Sequence, residues 1–198
     1  MCASPMARPK EFDVDEALTS ALQAFWQKGY EAASMQDLVD AMGIQKASLY
    51  GTFGDKHSLY VAALRSYQQQ SLRRLEQTLA DGPPKAALHG LVLGLAEQAC
   101  GRSGKLGCFC VNANIEMAPH DAEVTTMLRE HSEQVEALFE RTLRAAKAQG
   151  GLPRGADCKE LAAFVFGIVV ALNVLGKQGA GRARMLAVAN HGLAALDS

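Results

Sequence analysis

Four polar side chains in one short stretch have the chemistry needed to contact DNA. They are Lys46, Ser48, Tyr50 and Thr52. Leu49 and Phe53 stand four residues apart, which predicts one buried face of a short helix and leaves the polar four largely on the outside. Cationic and hydroxyl side chains of these types contact phosphates and base edges. This stretch is therefore the first candidate for a functional surface.

Two helices joined by a tight turn would position these side chains. Ser34, with Asp37 three residues later, predicts the capped start of the first helix. Gly43 follows where the chain must turn, because glycine reaches left-handed backbone angles without a Cβ clash. The second helix can begin near Gln45. The layout is that of a helix-turn-helix, although any small helical domain contains helix pairs with a glycine between them.

The flanking residues favour the helix-turn-helix interpretation. An upstream helix, capped by Asp13 and Glu16, carries an apolar stripe at helical spacing. The stripe consists of Leu18, Ala21, Leu22, Phe25 and Trp26. Downstream, Gly54 ends one helix and Asp55 caps the next. The sequence thus predicts three helices closed around one small core.

Roughly residues 8–64, with the core pattern GI-x-K-x-S-LY-x-x-F-x-x-K, resemble the N-terminal domain of the TetR/AcrR family of bacterial transcriptional repressors. The resemblance implies an all-α, homodimeric, cytoplasmic regulator that binds palindromic double-stranded operator DNA and an unknown small-molecule effector. The implied organisation is a flexible N-terminus at 1–10, a helix-turn-helix DNA-binding domain at 11–54, and an effector-binding and dimerisation domain at 55–198, with the fourth helix connecting the two.

The resemblance also implies roles for individual residues. Ser34 and Met35 match positions that touch phosphates at the start of the second helix, and Lys56 matches a lysine at the start of the fourth. The recognition-helix positions are Gln45, Lys46, Ser48, Tyr50, Gly51 and Thr52. Gln45 replaces a more usual serine cap, and Gly51 has no side chain to contact a base, so base contacts are expected to shift toward Gln45 and Thr52. Solvated surface lysines remain the alternative for Lys46 and Lys56.

The overall charge offers little support for DNA binding. The chain has 198 residues and a net charge of -1, and through residue 80 it carries 8 Lys and Arg against 9 Asp and Glu. DNA binding would have to rest on a few well-placed cations and helix N-termini. A helical interaction module that has lost specific DNA binding is therefore an alternative function. No enzyme motif is recognisable, and no catalytic residue, cofactor or metal is expected.

Cys108 and Cys110 form the second chemically suggestive group. Gly107 precedes a predicted helix start, which places both thiols in the first turn, where amides and the helix dipole stabilise a thiolate. Cys108 is thus a candidate redox or electrophile sensor, with Lys177 as a possible neighbour; two small buried residues are the alternative. On a helix the two thiols would point about 200° apart, which argues against a two-thiol metal site.

A pocket among the middle helices would bind the effector. The candidate lining residues are Cys108, Phe109, Asn112, Glu116, Phe139, Phe164, Phe166, Asn173 and Lys177. For the aromatic members, plain core packing is the alternative. Asn112, Glu116 and Asn173 are better candidates, because a polar side chain on an apolar helix needs a partner when it is buried.

The rest of the chain divides into helices by its glycines, prolines and caps. Helices are predicted at about 55–79, 85–100, 108–117, 121–149, 157–177 and 182–196, with a loop at 101–107 and no strand. The run 161–176 is apolar but short for a membrane span of about 20 residues. The last two helices are apolar enough to predict a twofold interface with a second copy of the chain. With five irregularly spaced cysteines and no secretion signal, free thiols in a cytoplasmic protein are expected.

Overall fold

The computed structural model describes residues 12–197, apart from the side chains of residues 102, 103 and 197. The predicted flexible segment 1–10 lies outside these residues. The described chain is built from helices and contains no strand over 12–197. It divides into two compact units between Ala63 and Leu64, within one continuous helix.

The first unit contains α1 (Val14–Lys28), α2 (Met35–Met42), α3 (Lys46–Phe53) and the beginning of α4 (Lys56–Ala80). Its core includes Leu38 and Leu49, both fully buried, and Phe25, which meets Tyr60 edge to face with ring centroids 5.1 Å apart. Such aromatic pairs add to the stabilisation that burial alone provides. The three predicted helices therefore close around one core, to which α4 contributes Tyr60.

The second unit contains the remainder of α4 and five further α-helices. They are α5 (Pro84–Ala99), α6 (Phe109–Glu116), α7 (Ala122–Ala148), α8 (Cys158–Lys177) and α9 (Arg182–Ala194). Short 3-10 helices cover Arg102–Leu106, Ala118–His120 and Ala195–Asp197. The segment expected to be a loop at 101–107 is thus mostly a 3-10 helix.

The core of the second unit forms where α5, α7, α8 and α9 pack together, around fully buried side chains such as Leu88, Leu143 and Leu172. Two glycines permit this close packing. A Cβ on Gly176 of α8 would lie 2.8 Å from Ala99 Cβ, and one on Gly192 of α9 would overlap the Ile168 side chain. Arg182 adds a link at the surface, where its Nε donates to Glu97 Oε2 at 2.8 Å.

The apolar helix α8 is buried on one side. By length and composition it is the one helix in the described chain that could cross a membrane. One of its faces, however, packs into the core of the second unit through Ala162, Val165, Ile168 and Leu172. Phe164 lies away from this face and remains 47% exposed. The helix is therefore a core helix with an uncovered apolar outer face.

Candidate DNA-contact surface and thiol site

The start of α2 is fixed by a capping box. Asp37 N donates to Ser34 Oγ at 3.1 Å, and Ser34 N donates to Asp37 Oδ2 at 2.9 Å. Lys28 Nζ donates to Asp37 Oδ1 at 2.5 Å, and together these bonds hold the pKa of Asp37 well below its usual range, with Lys28 as the largest cause. Ser34 and Met35 therefore stand at a rigid helix start, Ser34 exposed and Met35 half-buried.

A tight turn leads from α2 to α3, with Gly43 in the left-handed conformation at φ 63° and ψ 27°. Gln45 is the N-cap of α3, and its side chain makes no capping hydrogen bond. The Gln45 side chain is exposed and is thus available to an outside partner. Compared with a serine at this position, Gln45 is a weaker helix cap and has a longer polar side chain.

The outer face of α3 presents the predicted contact residues. Lys46, Tyr50 and Gly51 are exposed, whereas Ser48 and Thr52 are partly buried beside the fully buried Leu49. The predicted contact residues that lie on α3 are thus Lys46, Ser48, Tyr50, Gly51 and Thr52. A Cβ added to Gly51 would meet no atom within 4 Å. Packing within the chain therefore does not require glycine at this position.

Lys56, at the start of α4, is already bound within the first unit. Its Nζ lies 4.6 Å from the centroid of the Tyr30 ring and donates to the Glu31 carbonyl oxygen at 3.3 Å. These contacts are a cation–π interaction and a long hydrogen bond. Lys56 thus secures the first turn of α4, and a phosphate would have to share its ammonium group with Tyr30 and Glu31.

The second site lies in the other unit, where Cys108 is the N-cap of α6. Its backbone is extended, at φ -94° and ψ 133°, so Cys108 precedes the helix instead of lying in its first turn. Cys108 is part-exposed, and Cys110, inside the helix, is 8% exposed. The expected angle of about 200° between the two thiols applies only to two helical residues, and it does not describe this pair because the backbone of Cys108 is extended.

Several donors surround the sulfur of Cys108. The pKa of Cys108 is lowered to about 6, first by the hydrogen bond with the Cys110 thiol and then by those from Tyr67 and from the amides of Val111 and Cys110. Tyr67 Oη lies 3.4 Å from Cys108 Sγ. The pKa of Cys110 is raised by the same thiol–thiol bond and by burial. The pair therefore holds one thiolate and one thiol near neutral pH.

Two adjacent residues of α4, Tyr67 and Gln68, complete this site. The Tyr67 ring meets Phe109 edge to face at 5.7 Å, and burial together with the Cys108 bond raises the pKa of Tyr67. The Gln68 side chain is buried, donates from Nε2 to the Met127 carbonyl oxygen at 3.1 Å and also bonds the Cys110 thiol. The sequence patterns do not single out Gln68, although a glutamine beside a core position is a usable signal for a buried polar contact.

The predicted effector residues fall in separate places. Lys177 Nζ donates to Asn112 Oδ1 at 2.7 Å, and Asn112 Nδ2 donates to the Leu106 carbonyl oxygen at 2.9 Å, which brings both side chains beside Gly107 and hence close to Cys108. Phe109 also belongs to this site through its ring contact with Tyr67, whereas the structure does not bring the remaining candidates into it. Phe109 and Phe139 are buried in the core, Phe166 is half-buried, Glu116 is half-exposed, Phe164 is exposed, and Asn173 donates to the Val169 carbonyl oxygen of its own helix.

Comparison with known proteins covers both units. Residues 17–63 match the bacterial regulatory proteins of the tetR family, and residues 84–184 match the tetracyclin repressor-like C-terminal domain. The chain is 31% identical over 194 residues to the HTH-type transcriptional regulator YezE of Bacillus subtilis (strain 168), covering 97% of this chain and 100% of YezE. It is 29% identical over 184 residues to the HTH-type transcriptional repressor ComR of Escherichia coli (strain K12), covering 92% of this chain and 88% of ComR.

A solved structure agrees with these relatives. A cysteine-substituted variant of the TetR family transcriptional regulator CifR, complexed with 26-bp double-stranded operator DNA, is 32% identical to this chain with a TM-score of 0.82. The similarity covers 96% of this chain and 100% of CifR. With both of its units matched, the helix-turn-helix and the helical C-terminal unit, this chain belongs to the TetR family of bacterial DNA-binding transcriptional regulators.

Proposed function

We propose that this regulator is a cytoplasmic homodimer that represses transcription from a palindromic operator and leaves the operator when an effector binds or when Cys108 is modified. The observation that carries the proposal is the hydrogen bond between Cys108 and Tyr67. Tyr67 lies on α4, the same continuous helix that begins at Lys56 in the helix-turn-helix unit. A chemical change at Cys108 therefore acts directly on the helix shared by the two units.

The DNA contact would be made by the outer face of α3 and the start of α2. Lys46 and the Tyr50 hydroxyl have the chemistry of phosphate contacts, and Gln45 has the amide that pairs with adenine. Ser34 would have to share its hydroxyl between a phosphate and Asp37 Oδ2. Because the N-terminal part of the chain carries almost no net positive charge, one recognition helix would bind weakly. Two copies, placed one turn of DNA apart at about 34–36 Å, would supply the affinity together.

Release would follow from a shift between two conformations. An adduct on Cys108 Sγ removes the thiolate that accepts from Tyr67, so the conformation that depends on this bond loses stability. A small-molecule effector bound near Asn112 and Lys177 would act on the same end of α6. Coupling free energies of about 1–3 kcal/mol are typical of such linked sites, which corresponds to about 5–150-fold in operator affinity.

The DNA-binding part is tested by gel shift with fragments of the source genome, including the region upstream of the chain's own coding sequence, across a series of salt concentrations. We expect a specific complex with at least one fragment whose affinity falls steeply as salt rises. Absence of any specific complex at low salt would contradict repression. That outcome would favour the alternative of a helical interaction module, for which Gly51 and the neutral N-terminal charge are the supporting observations.

The thiol part is tested on the operator complex with an alkylating electrophile such as N-ethylmaleimide. We expect release from the wild type and none from Cys108→Ser. Cys100→Ser is the matched control, since Cys100 is exposed at the end of α5, and its release should equal that of the wild type. If N-ethylmaleimide released the operator equally from Cys108→Ser and from the wild type, Cys108 would not be the responsive group. The conclusion that the protein binds DNA would not be affected.

A further inference from the structure

The backbone at Cys108 turns its side chain toward Cys110. In a helix, residues two apart point about 200° from each other. Cys108 has ψ 133°, which differs by about half a turn from the helical value near -42°. This rotation about the Cα–C bond removes the opposed orientation of two helical residues, and it agrees with the effect of the Cys110 thiol on the pKa of Cys108.

The spacing of the two residues also suits a covalent bond. Phe109, between them, is helical, so the Cα atoms of Cys108 and Cys110 are separated by the helical i,i+2 distance of about 5.4 Å. Disulfides form when this separation is about 4.4–6.8 Å and the Cβ atoms face each other. The Cα separation of the pair thus lies within the range of disulfides without any movement of the backbone.

The two cysteines differ in the way a nucleophile differs from a resolving thiol. Cys108 is part-exposed at the helix end, and its sulfur is hydrogen-bonded to the Tyr67 hydroxyl. Cys110 is 8% exposed, and the Cys108 thiol together with burial raises the pKa of Cys110, so Cys110 keeps its proton. Reactive cysteines of redox proteins are often placed next to a second cysteine in this manner.

We propose that a hydroperoxide oxidises Cys108 and that Cys110 then resolves the product as a reversible Cys108–Cys110 disulfide. This inference rests on the proposed thiol response and deepens it, because it names the oxidant class and assigns a role to Cys110. It also distinguishes two reactions of Cys108, alkylation and oxidation. Alkylation of Cys108 is permanent, whereas peroxide oxidation is undone by a thiol reductant.

The chemistry balances in two steps. The Cys108 thiolate attacks one oxygen of hydrogen peroxide; the S–O bond forms, the O–O bond breaks, and hydroxide leaves and takes a proton to become water. The Cys110 sulfur then attacks the sulfenic sulfur of Cys108, the S–O bond breaks, and the departing hydroxide takes the Cys110 proton as a second water. Two thiols supply two electrons, and the peroxide is reduced to two waters.

The disulfide would change two neighbouring contacts on α4 at once. A disulfide sulfur carries no charge, so Cys108 becomes a poor acceptor for the Tyr67 hydroxyl. Cys110 loses the thiol that bonds Gln68, which keeps its donor bond to the Met127 carbonyl oxygen. Both contacts belong to consecutive residues of one helix, so oxidation of the two cysteines changes the contacts of α4 at one place.

The test uses the full-length protein and differential labelling. Protein treated with hydrogen peroxide is denatured in iodoacetamide to block free thiols, reduced with dithiothreitol, and labelled with N-ethylmaleimide. Trypsin cuts after Lys105 and Arg129, so one peptide carries both cysteines. The two labels report the thiols independently of oxidation at Met117 and Met127, which lie on the same peptide.

We expect both cysteines of the same peptide molecule to carry N-ethylmaleimide after peroxide treatment and iodoacetamide without it. In Cys110→Ala and Cys110→Ser, the sulfenic acid of Cys108 has no neighbouring thiol to condense with, so excess peroxide should oxidise it further to the sulfinic acid. Dithiothreitol does not reduce a sulfinic acid, so the fraction of Cys108 that carries N-ethylmaleimide should fall. Cys100→Ser should behave as the wild type. In parallel, dithiothreitol should restore operator binding to peroxide-treated wild type and not to the Cys110 variants.

Two results would overturn the dithiol proposal while leaving the thiol response standing. One is a wild-type peptide in which Cys108 is oxidised and Cys110 carries iodoacetamide. The other is a reducible bond from Cys108 to any other cysteine, seen as a cross-linked peptide. Failure of the underlying thiol response would look different, because operator release by N-ethylmaleimide would then be the same in Cys108→Ser and wild type.

Discussion

At the scale of single residues, the reactivity of Cys108 depends on the donors that surround its sulfur. The Cys110 thiol, the Tyr67 hydroxyl and the amides at the start of α6 stabilise the thiolate, and burial opposes them. The donors outweigh burial, since the pKa of Cys108 falls to about 6 from the value near 8.5 of an ordinary thiol. Each donor can be removed separately, and the Tyr67 hydroxyl is the simplest to remove.

We predict that Tyr67→Phe raises the pKa of Cys108 by about one unit, the value of a single hydrogen bond to a charged group. The ring and its contact with Phe109 remain, so the change is confined to the hydroxyl. The measurement is the rate of alkylation by iodoacetamide against pH, whose midpoint should rise because more of the thiol stays protonated. Tyr50→Phe, at an exposed tyrosine of α3, is the control. An unchanged midpoint in Tyr67→Phe would show that Tyr67 does not stabilise the thiolate.

Lys46 is the cation on α3 whose side chain is exposed and best placed for a phosphate. We predict that Lys46→Ala weakens operator binding and lowers the salt slope by about 0.9 for each lost phosphate contact, hence by about 2 for both copies in a dimer. The slope comes from equilibrium binding at several salt concentrations. Arg154→Ala, an exposed cation before α8, should leave it unchanged. A slope equal to that of the wild type would identify Lys46 as a solvated lysine.

At the scale of elements, α3 carries a glycine that its own packing does not explain. Gly51 lies inside the helix, and a Cβ there would meet nothing within 4 Å. Glycine in a helix interior costs about 0.5–1 kcal/mol relative to alanine, mainly through backbone entropy. Because α3 is the helix proposed to contact DNA, such a cost without a packing reason is expected if this helix approaches the operator closely.

We predict that Gly51→Ala raises the free energy of unfolding by about 0.5–1 kcal/mol and lowers operator affinity. Urea unfolding and gel shift measure the two effects. Gly90→Ala is the matched control, because Gly90 is an exposed glycine inside α5 whose added Cβ also meets nothing; it should stabilise the protein without changing operator affinity. If both variants bind the operator as the wild type does, close approach at Gly51 is excluded.

The elements were predictable from sequence where their signals are local. Ser34 with Asp37 and Gly43 each act within a few residues, and the two ends of α2 predicted from them agree closely with the structure. The exact start of α6 was not predictable in this way. One backbone angle decides whether Cys108 is the N-cap or the first helical residue, and the cysteine side chain does not determine that angle. The hydrogen bond between Cys108 and Tyr67 could not be predicted either, because Tyr67 lies 41 residues earlier in the chain and no periodic pattern connects the two residues.

At the scale of the whole molecule, the outer face of α8 is an apolar surface that remains exposed in the described residues 12–197. The inner face is buried in the second unit, while Phe164 and its neighbours Ala163 and Gly167 are exposed. An exposed aromatic beside small residues permits close approach by another helix. A second copy that presents the same face about a twofold axis would cover it, because such interfaces are self-complementary.

The proposed dimer is tested by charging this face. We predict that Phe164→Glu converts the protein from dimer to monomer at micromolar concentration, because a carboxylate buried without a partner opposes association. Sedimentation measures the mass. Operator affinity should fall with it, since one helix-turn-helix unit then binds alone. Ile115→Glu is the matched control, because Ile115 is a large apolar residue on α6 that is 70% exposed, and it should remain dimeric. A dimeric Phe164→Glu variant would move the interface away from α8, and a monomeric variant with wild-type affinity would show that operator binding does not depend on pairing.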